Sequence, residues 1–198
     1  MQTEWRDLTY LLHGTARQQA AYHALDALQV CHYLRDFDPV LVGTIPLDID
    51  IPESDLDIVC YAPDLDAFAQ CLRDNFGHYP AFTWRRKTLN DIPSAMARFD
   101  AQGFPIEIVG QPLPVAAQQA FCHMVVEACL LRYGGEAVRQ KIRQLKLQGV
   151  KTEPAFAAVF ALAGEPYYTL FQLSSLSQEQ LVAVITQHSR TYMAEAGH

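Results

Sequence analysis

Apolar positions along this chain change rhythm near its middle, and the two rhythms predict two kinds of architecture. From Arg17 to Arg35, Ala21, Leu25, Leu28, Cys31 and Leu34 recur three or four residues apart, the spacing of one helix face. Asp38-Pro39 closes that helix. Two short apolar runs follow, Val40 to Gly43 and Leu56 to Tyr61, each of a length that suits a buried strand. Asp64 to Phe76 returns to helical spacing, with Leu65, Phe68, Ala69 and Leu72 on one face and Gly77 as the stop. Phe82 to Lys87 and Ala95 to Phe99 predict two further strands. The turn Asp100-Ala101-Gln102-Gly103 then brings Phe104 to Val109 back antiparallel.

Beyond Pro114 the pattern is helical. Val115 to Tyr133 carries Phe121, Met124, Val125, Ala128 and Leu131 and stops before Gly134-Gly135. Glu136 to Gln148 is amphipathic and basic, and Arg139, Lys141, Arg143 and Lys146 read as a solvated face. Thr152 opens another helix with Pro154 in its first turn, where proline is tolerated. Ser177 and Gln180 have capping-box spacing before a final helix, Glu179 to about Ala194. The expected fold class is α/β (α+β), a mixed sheet flanked by helices and followed by a helical C-terminal half. The division falls near Gln111-Pro112, giving regions 1–112 and 113–198 packed together or one single domain.

The segment Leu41 to Tyr61, LVGTIPLDIDIPESDLDIVCY, carries the chemistry. Side chains alternate along a strand, so Asp55 and Asp57 share one face while Leu56 and Ile58 take the other. Two such carboxylates stand ~6.5–7 Å apart at their Cβ atoms, given a rise of about 3.3 Å per residue. That spacing suits a hard divalent cation. Gly43-Thr44 ahead of them supplies a backbone that a phosphate can approach and a hydroxyl to meet it. In FPIEIVG, Glu107 lies between Ile106 and Ile108 and repeats the parity of the aspartates.

A Gly-Thr pair, a loop, Asp-x-Asp at a strand start and a third acid on a later strand together resemble the active-site signature of the DNA polymerase β-like nucleotidyltransferase superfamily. The resemblance covers about the first 110 residues. Within that superfamily, GTIPLDIDIPESDLDI followed by FGHY, IEIVGQP and KTEPAF is similar to a small bacterial family of unknown function. The resemblance implies a nucleotidyltransferase-type sheet and a Mg²⁺- or Mn²⁺-dependent transfer of a nucleoside monophosphate from a nucleoside triphosphate (NTP) to an acceptor hydroxyl. It implies Asp55, Asp57 and Glu107 as metal ligands and catalytic acids, and Gly43 and Thr44 as the phosphate cradle. Arg85 and Lys87, which share a strand face, are either triphosphate-binding cations or charges that protect an edge strand from aggregation. Two departures stand out: the third acid is more often aspartate, and Pro46 stiffens a loop in which many relatives carry a further glycine. A nucleotide- or partner-binding protein that keeps the fold without turnover is the alternative.

The remaining residues narrow the partners. Fifteen basic against twenty-two acidic residues give a formal charge of −7, which disfavours long nucleic acid as the acceptor relative to a small molecule or a protein. Five cysteines without CxxC spacing argue against a disulfide framework or a zinc site and fit a reducing cytoplasm. MQTEWRDLTY has neither the basic nor the apolar part of a signal peptide, and no apolar stretch reaches membrane-spanning length. Asp48 and Asp50 read as loop-capping or solvated acids, and His78 and His123 as structural histidines.

Overall fold

Leu56, Ile58, Ile106 and Ile108, which point one way from two neighbouring strands, anchor a five-stranded sheet. The structure, a computed structural model, describes residues 4–177 and 179–183. Strands β1 (Val40–Val42), β2 (Leu56–Tyr61), β3 (Thr83–Leu89), β4 (Ile92–Ala101) and β5 (Phe104–Gln111) lie in the order β1-β2-β5-β4-β3. Strands β2 and β5 run parallel and the other three neighbouring pairs are antiparallel. A parallel pair needs a long connection; helix α3 (Leu65–Phe76) and the β3–β4 hairpin supply it. Asp64 starts α3 by accepting from the backbone N–H groups of Asp66 and Ala67 at 2.9 and 3.0 Å.

Register decides the two faces. Leu56, Ile106 and Phe99 are neighbours across β2, β5 and β4, as are Ile58, Ile108 and Ala97 one step along the same face. All six are at most 2% exposed. Phe68 of α3 lies so close over Gly110 that a Cβ there would strike its ring. Phe99 stacks with both Phe76 and Tyr79 at 5.3 Å between ring centroids. Each large apolar side chain buried here contributes ~1.5–3 kcal/mol relative to exposure, so this face holds the sheet together. The opposite face carries Asp57, Glu107 and Arg98 beside Val59, Val109 and Met96.

Two hairpin turns keep this register. Asn90-Asp91 and Gln102-Gly103 all have positive φ, between 49° and 78°, as two-residue hairpin turns require. The first turn lets β4 begin at Ile92, three residues before the apolar run that announces it.

The helix expected over Arg17 to Arg35 is broken. Helix α1 (Ala16–Ala27) and α2 (Val30–Tyr33) are separated by Gln29 in the left-handed region, φ 51°. Leu28 and Val30 are both at most 2% exposed. In one continuous helix they would point about 200° apart, so burying both in one core requires the chain to turn between them.

Residues 4–48 and 53–121 form one compact unit that holds the sheet. Residues 49–52 and those from Cys122 onward form a second, helical one. In it α4 (Gln119–Leu147, in the second unit from Cys122 on) is interrupted at Gly135, φ 64° and ψ −161°, beside the predicted break. Helix α5 (Thr152–Val159) starts where expected; α6 (Pro166–Leu173) is an element that the apolar pattern does not announce. Leu130, Ile142, Phe156, Phe160 and Leu170 form its buried interior. The Ser177–Gln180 capping box is present, with bonds of 2.9 and 3.2 Å. Most of the final helix expected after it lies outside the described residues. Among those described, no helix is long and apolar enough to cross a membrane.

Candidate functional site

The polar face of the sheet begins with one row of register partners. Asp57 on β2 pairs with Glu107 on β5, Glu107 with Arg98 on β4, and Arg98 with Thr83 on β3. Side chains of paired residues point to the same side, so two acids and a guanidinium stand side by side on the face opposite Leu56, Ile106 and Phe99. Asp55 precedes β2 and shares the parity of Asp57. The Asp55 carboxyl is close enough to raise the pKa of Asp57 by its charge.

Burial and crowding show in the protonation of Asp57. Its carboxyl is pushed up to about 8, first by burial and then by the negative charges of Asp55 and Glu107, with the Arg98 guanidinium partly opposing them. Glu107 is taken up by Arg98, which forms an ion pair with it through its guanidinium.

Gly43 follows β1 and approaches the same point. Val42 is the register partner of Asp57, and Gly43 turns with φ 84°. A Cβ on Gly43 would stand 2.5 Å from Oδ2 of Asp57. The loop from Thr44 to Asp55 is packed, with Ile45 at 0% and Leu47 at 5% exposure. The Gln18 side-chain amide donates to the carbonyls of Ile45 at 2.9 Å and Pro46 at 3.3 Å. Arg17 donates to the Ser54 carbonyl at 3.3 Å, and the Thr44 hydroxyl donates to Ser54 Oγ at 3.2 Å. Gln18 and Arg17 thus brace the motif from outside it, and Ser54 ties its two ends from within.

A cavity of about 300 Å³ opens on this face, lined among others by Asp55, Thr83, Arg98, Asp100, Pro105 and Glu107. Its volume is at the lower end for small-molecule sites.

Arg85 and Lys87 lie on the acid-bearing face but on the edge strand, where their partners are Met96 and Ser94. Three interstrand spacings of about 4.8 Å, and a further offset along the strand, separate them from Asp57. Arg98 is the cation beside the acids. It was hidden in MARFD because its significance depends on pairing; counting outward from the Gln102-Gly103 turn would have set it opposite Glu107. Arg86 takes the other face and pairs with Asp66. His78 lies against Tyr79, and His123 is buried in the second unit, 3.2 Å from Glu153 and 2.9 Å from the Tyr167 carbonyl. Lys146 departs from the solvated face expected of its helix: it is 8% exposed.

All the acids here are hard oxygen donors, and their crowding is the kind of excess negative charge that Mg²⁺ or Mn²⁺ relieves. Asp55 and Asp57 fit such an ion. Among the described residues no group of three acids, histidines or cysteines is arranged to hold a metal as it stands, and Glu107 is paired with Arg98.

Residues 23–173 match the family described as a domain of unknown function (DUF4269). The chain belongs to that family. This DUF4269 chain is also similar in fold to a Cid1 poly(U) polymerase with MgGTP bound, at TM-score 0.53 and 12% identity over 84% of this chain and 54% of that one. A cytoplasmic RNA terminal U-transferase gives TM-score 0.52 and 14% identity over 80% and 48%. The chain therefore spans about half the length of these structures. The mixed sheet with flanking helices is the nucleotidyltransferase-type α/β fold. No curated protein matches the chain in sequence.

Proposed function

We propose that this DUF4269 protein transfers a nucleoside monophosphate from an NTP to an acceptor hydroxyl. The observation that carries the reading is the meeting of Gly43, Asp55, Asp57 and Glu107 at one end of the sheet's polar face. Asp55 and Asp57, with Glu107 once it leaves Arg98, would hold Mg²⁺ or Mn²⁺. When bound, such ions supply charge neutralisation for the triphosphate and lower the pKa of the acceptor hydroxyl.

The chain's own groups account for the rest. The Gly43-Thr44 backbone lies where a phosphate can approach, because no Cβ intervenes, and the Thr44 hydroxyl can turn from Ser54 toward a phosphate oxygen. In the transfer, the acceptor oxygen forms a bond to the α-phosphorus while the bond from that phosphorus to the bridging oxygen breaks and pyrophosphate leaves. The hydroxyl proton passes to a carboxylate, and Glu107 is one of those that line the cavity. Arg85 and Lys87 would meet only an extended part of a substrate, whereas Arg98 can neutralise a phosphate beside the acids.

One observation favours a second reading. Glu107 is already satisfied by Arg98, as it would be in a protein that binds a nucleotide and does not turn it over. Transfer of label from each α-³²P-labelled NTP into cell extract separates the two. Transfer by the wild type but not by Asp57→Asn supports the enzyme. Nucleotide binding with no transfer by either protein supports the binder.

A further inference from the structure

The loop that joins Gly43-Thr44 to Asp55 does not belong wholly to the sheet unit. Its middle, Ile49 to Pro52, is part of the helical unit. Within that unit Nζ of Lys146 donates to the Ile49 carbonyl at 3.0 Å, across 97 residues of sequence. Lys146 is 8% exposed, Ile49 fully buried, and the neighbouring acid Glu127 3% exposed. A buried ammonium is costly unless it is paired and hydrogen-bonded. Here the ammonium donates to a loop carbonyl, and its charge draws down the buried Glu127 carboxyl, which burial and Glu153 raise.

Simple stabilisation of a helix bundle gives no reason for this arrangement. An apolar residue in place of Lys146 and an amide in place of Glu127 would fill the same space without buried charge. What they would lack is the reach of a long donor to Ile49. On the sheet side, the carbonyls of Ile45 and Pro46 are held by Gln18 and that of Ser54 by Arg17. The Lys146 bond fixes the stretch between these anchors.

We infer that Lys146 is a positioning residue for the loop between the phosphate cradle and the acids, acting through its hold on Ile49. The inference rests on the nucleotidyl-transfer reading of Gly43-Thr44 and Asp55. A phosphate cradle must be held close to its productive geometry before substrate arrives, and ordering a free loop at binding would lower affinity. Lys146 holds it in advance.

The test uses the full chain and three variants: Lys146→Met, Lys146→Arg, and the double variant Glu127→Gln with Lys146→Met, which removes both buried ionisable groups. Mn²⁺ with each of the four ribonucleoside triphosphates is titrated by calorimetry, and amide hydrogen exchange is followed over residues 44–55. Lys146→Met and the double variant should bind the nucleotide on the order of ten-fold more weakly, as loss of one charge-assisted hydrogen bond implies. Exchange should quicken in 44–55 and stay unchanged in β5, and Lys146→Arg should restore both. Wild-type affinity and unchanged loop exchange in the folded double variant would overturn the inference. So would failure of both methionine variants to fold, which would make Lys146 a purely structural residue. If the wild type binds none of the four nucleotides, the nucleotidyltransferase reading falls, while the exchange comparison still decides whether Lys146 orders the loop.

Discussion

Gly43 and Asp57 are matched by shape: a Cβ on the glycine would stand 2.5 Å from the aspartate Oδ2, and the glycine's φ of 84° is one that L side chains rarely adopt. Gly43→Ala should therefore both strain the backbone and push Asp57 off its position. The expected loss is ~1–3 kcal/mol of stability, read from urea unfolding. Mn²⁺ binding should weaken with it. An alanine variant as stable as the wild type would show that the loop relaxes freely.

Protonation of Asp57 sets the pH behaviour of the metal-free protein. Burial and the neighbouring acids raise its folded pKa to about 8, above the ~4 of an unfolded aspartate. The folded state then holds the proton more tightly, so this stabilisation is complete below ~4 and is lost as pH rises through the folded value. Buried Glu127, also pushed up to about 8, acts in the same direction. Calorimetry should show Tm falling across that window, with Asp57→Asn and Glu127→Gln each flattening part of the fall. Added Mg²⁺ should recover Tm at the alkaline end in the wild type and not in Asp57→Asn. A Tm that rises across the window would contradict the assignment.

Arg98 is the cation that holds Asp57 down, and it also pairs with Glu107. Arg98→Met should move the Asp57 titration further upward, visible in a carboxyl-carbon NMR titration. The Arg98 side chain is 57% exposed, so the stability cost should be small, ~0.2–1 kcal/mol. A downward movement of Asp57 would show that Arg98 does not oppose the acids.

Arg85 and Lys87 stand on the far edge strand. The paired change Arg85→Gln with Lys87→Gln should alter Mn²⁺–nucleotide affinity by less than about three-fold at physiological salt, where the Debye length is ≈ 8 Å. Arg98→Gln should alter it more. Equal losses from the two changes would return Arg85 and Lys87 to the triphosphate.

Local pattern alone was enough for β2, for α3, for the Gln102-Gly103 turn and for the shared parity of Asp55, Asp57 and Glu107. Each depends on neighbours within a few residues, where alternation and capping chemistry act. Three features needed tertiary structure. The break at Gln29 arises because Leu28 and Val30 both meet the core, which no periodicity reveals. Arg98 acquires its role from a register partner nine residues away, and Arg85 and Lys87 lose theirs because strand order sets them at the other edge. Lys146 looks like one more solvated base in sequence; only the fold brings a buried carbonyl 97 residues away within 3.0 Å of it. Parity along a strand is a local property, whereas the partner across it is set by which strands and loops the chain brings together.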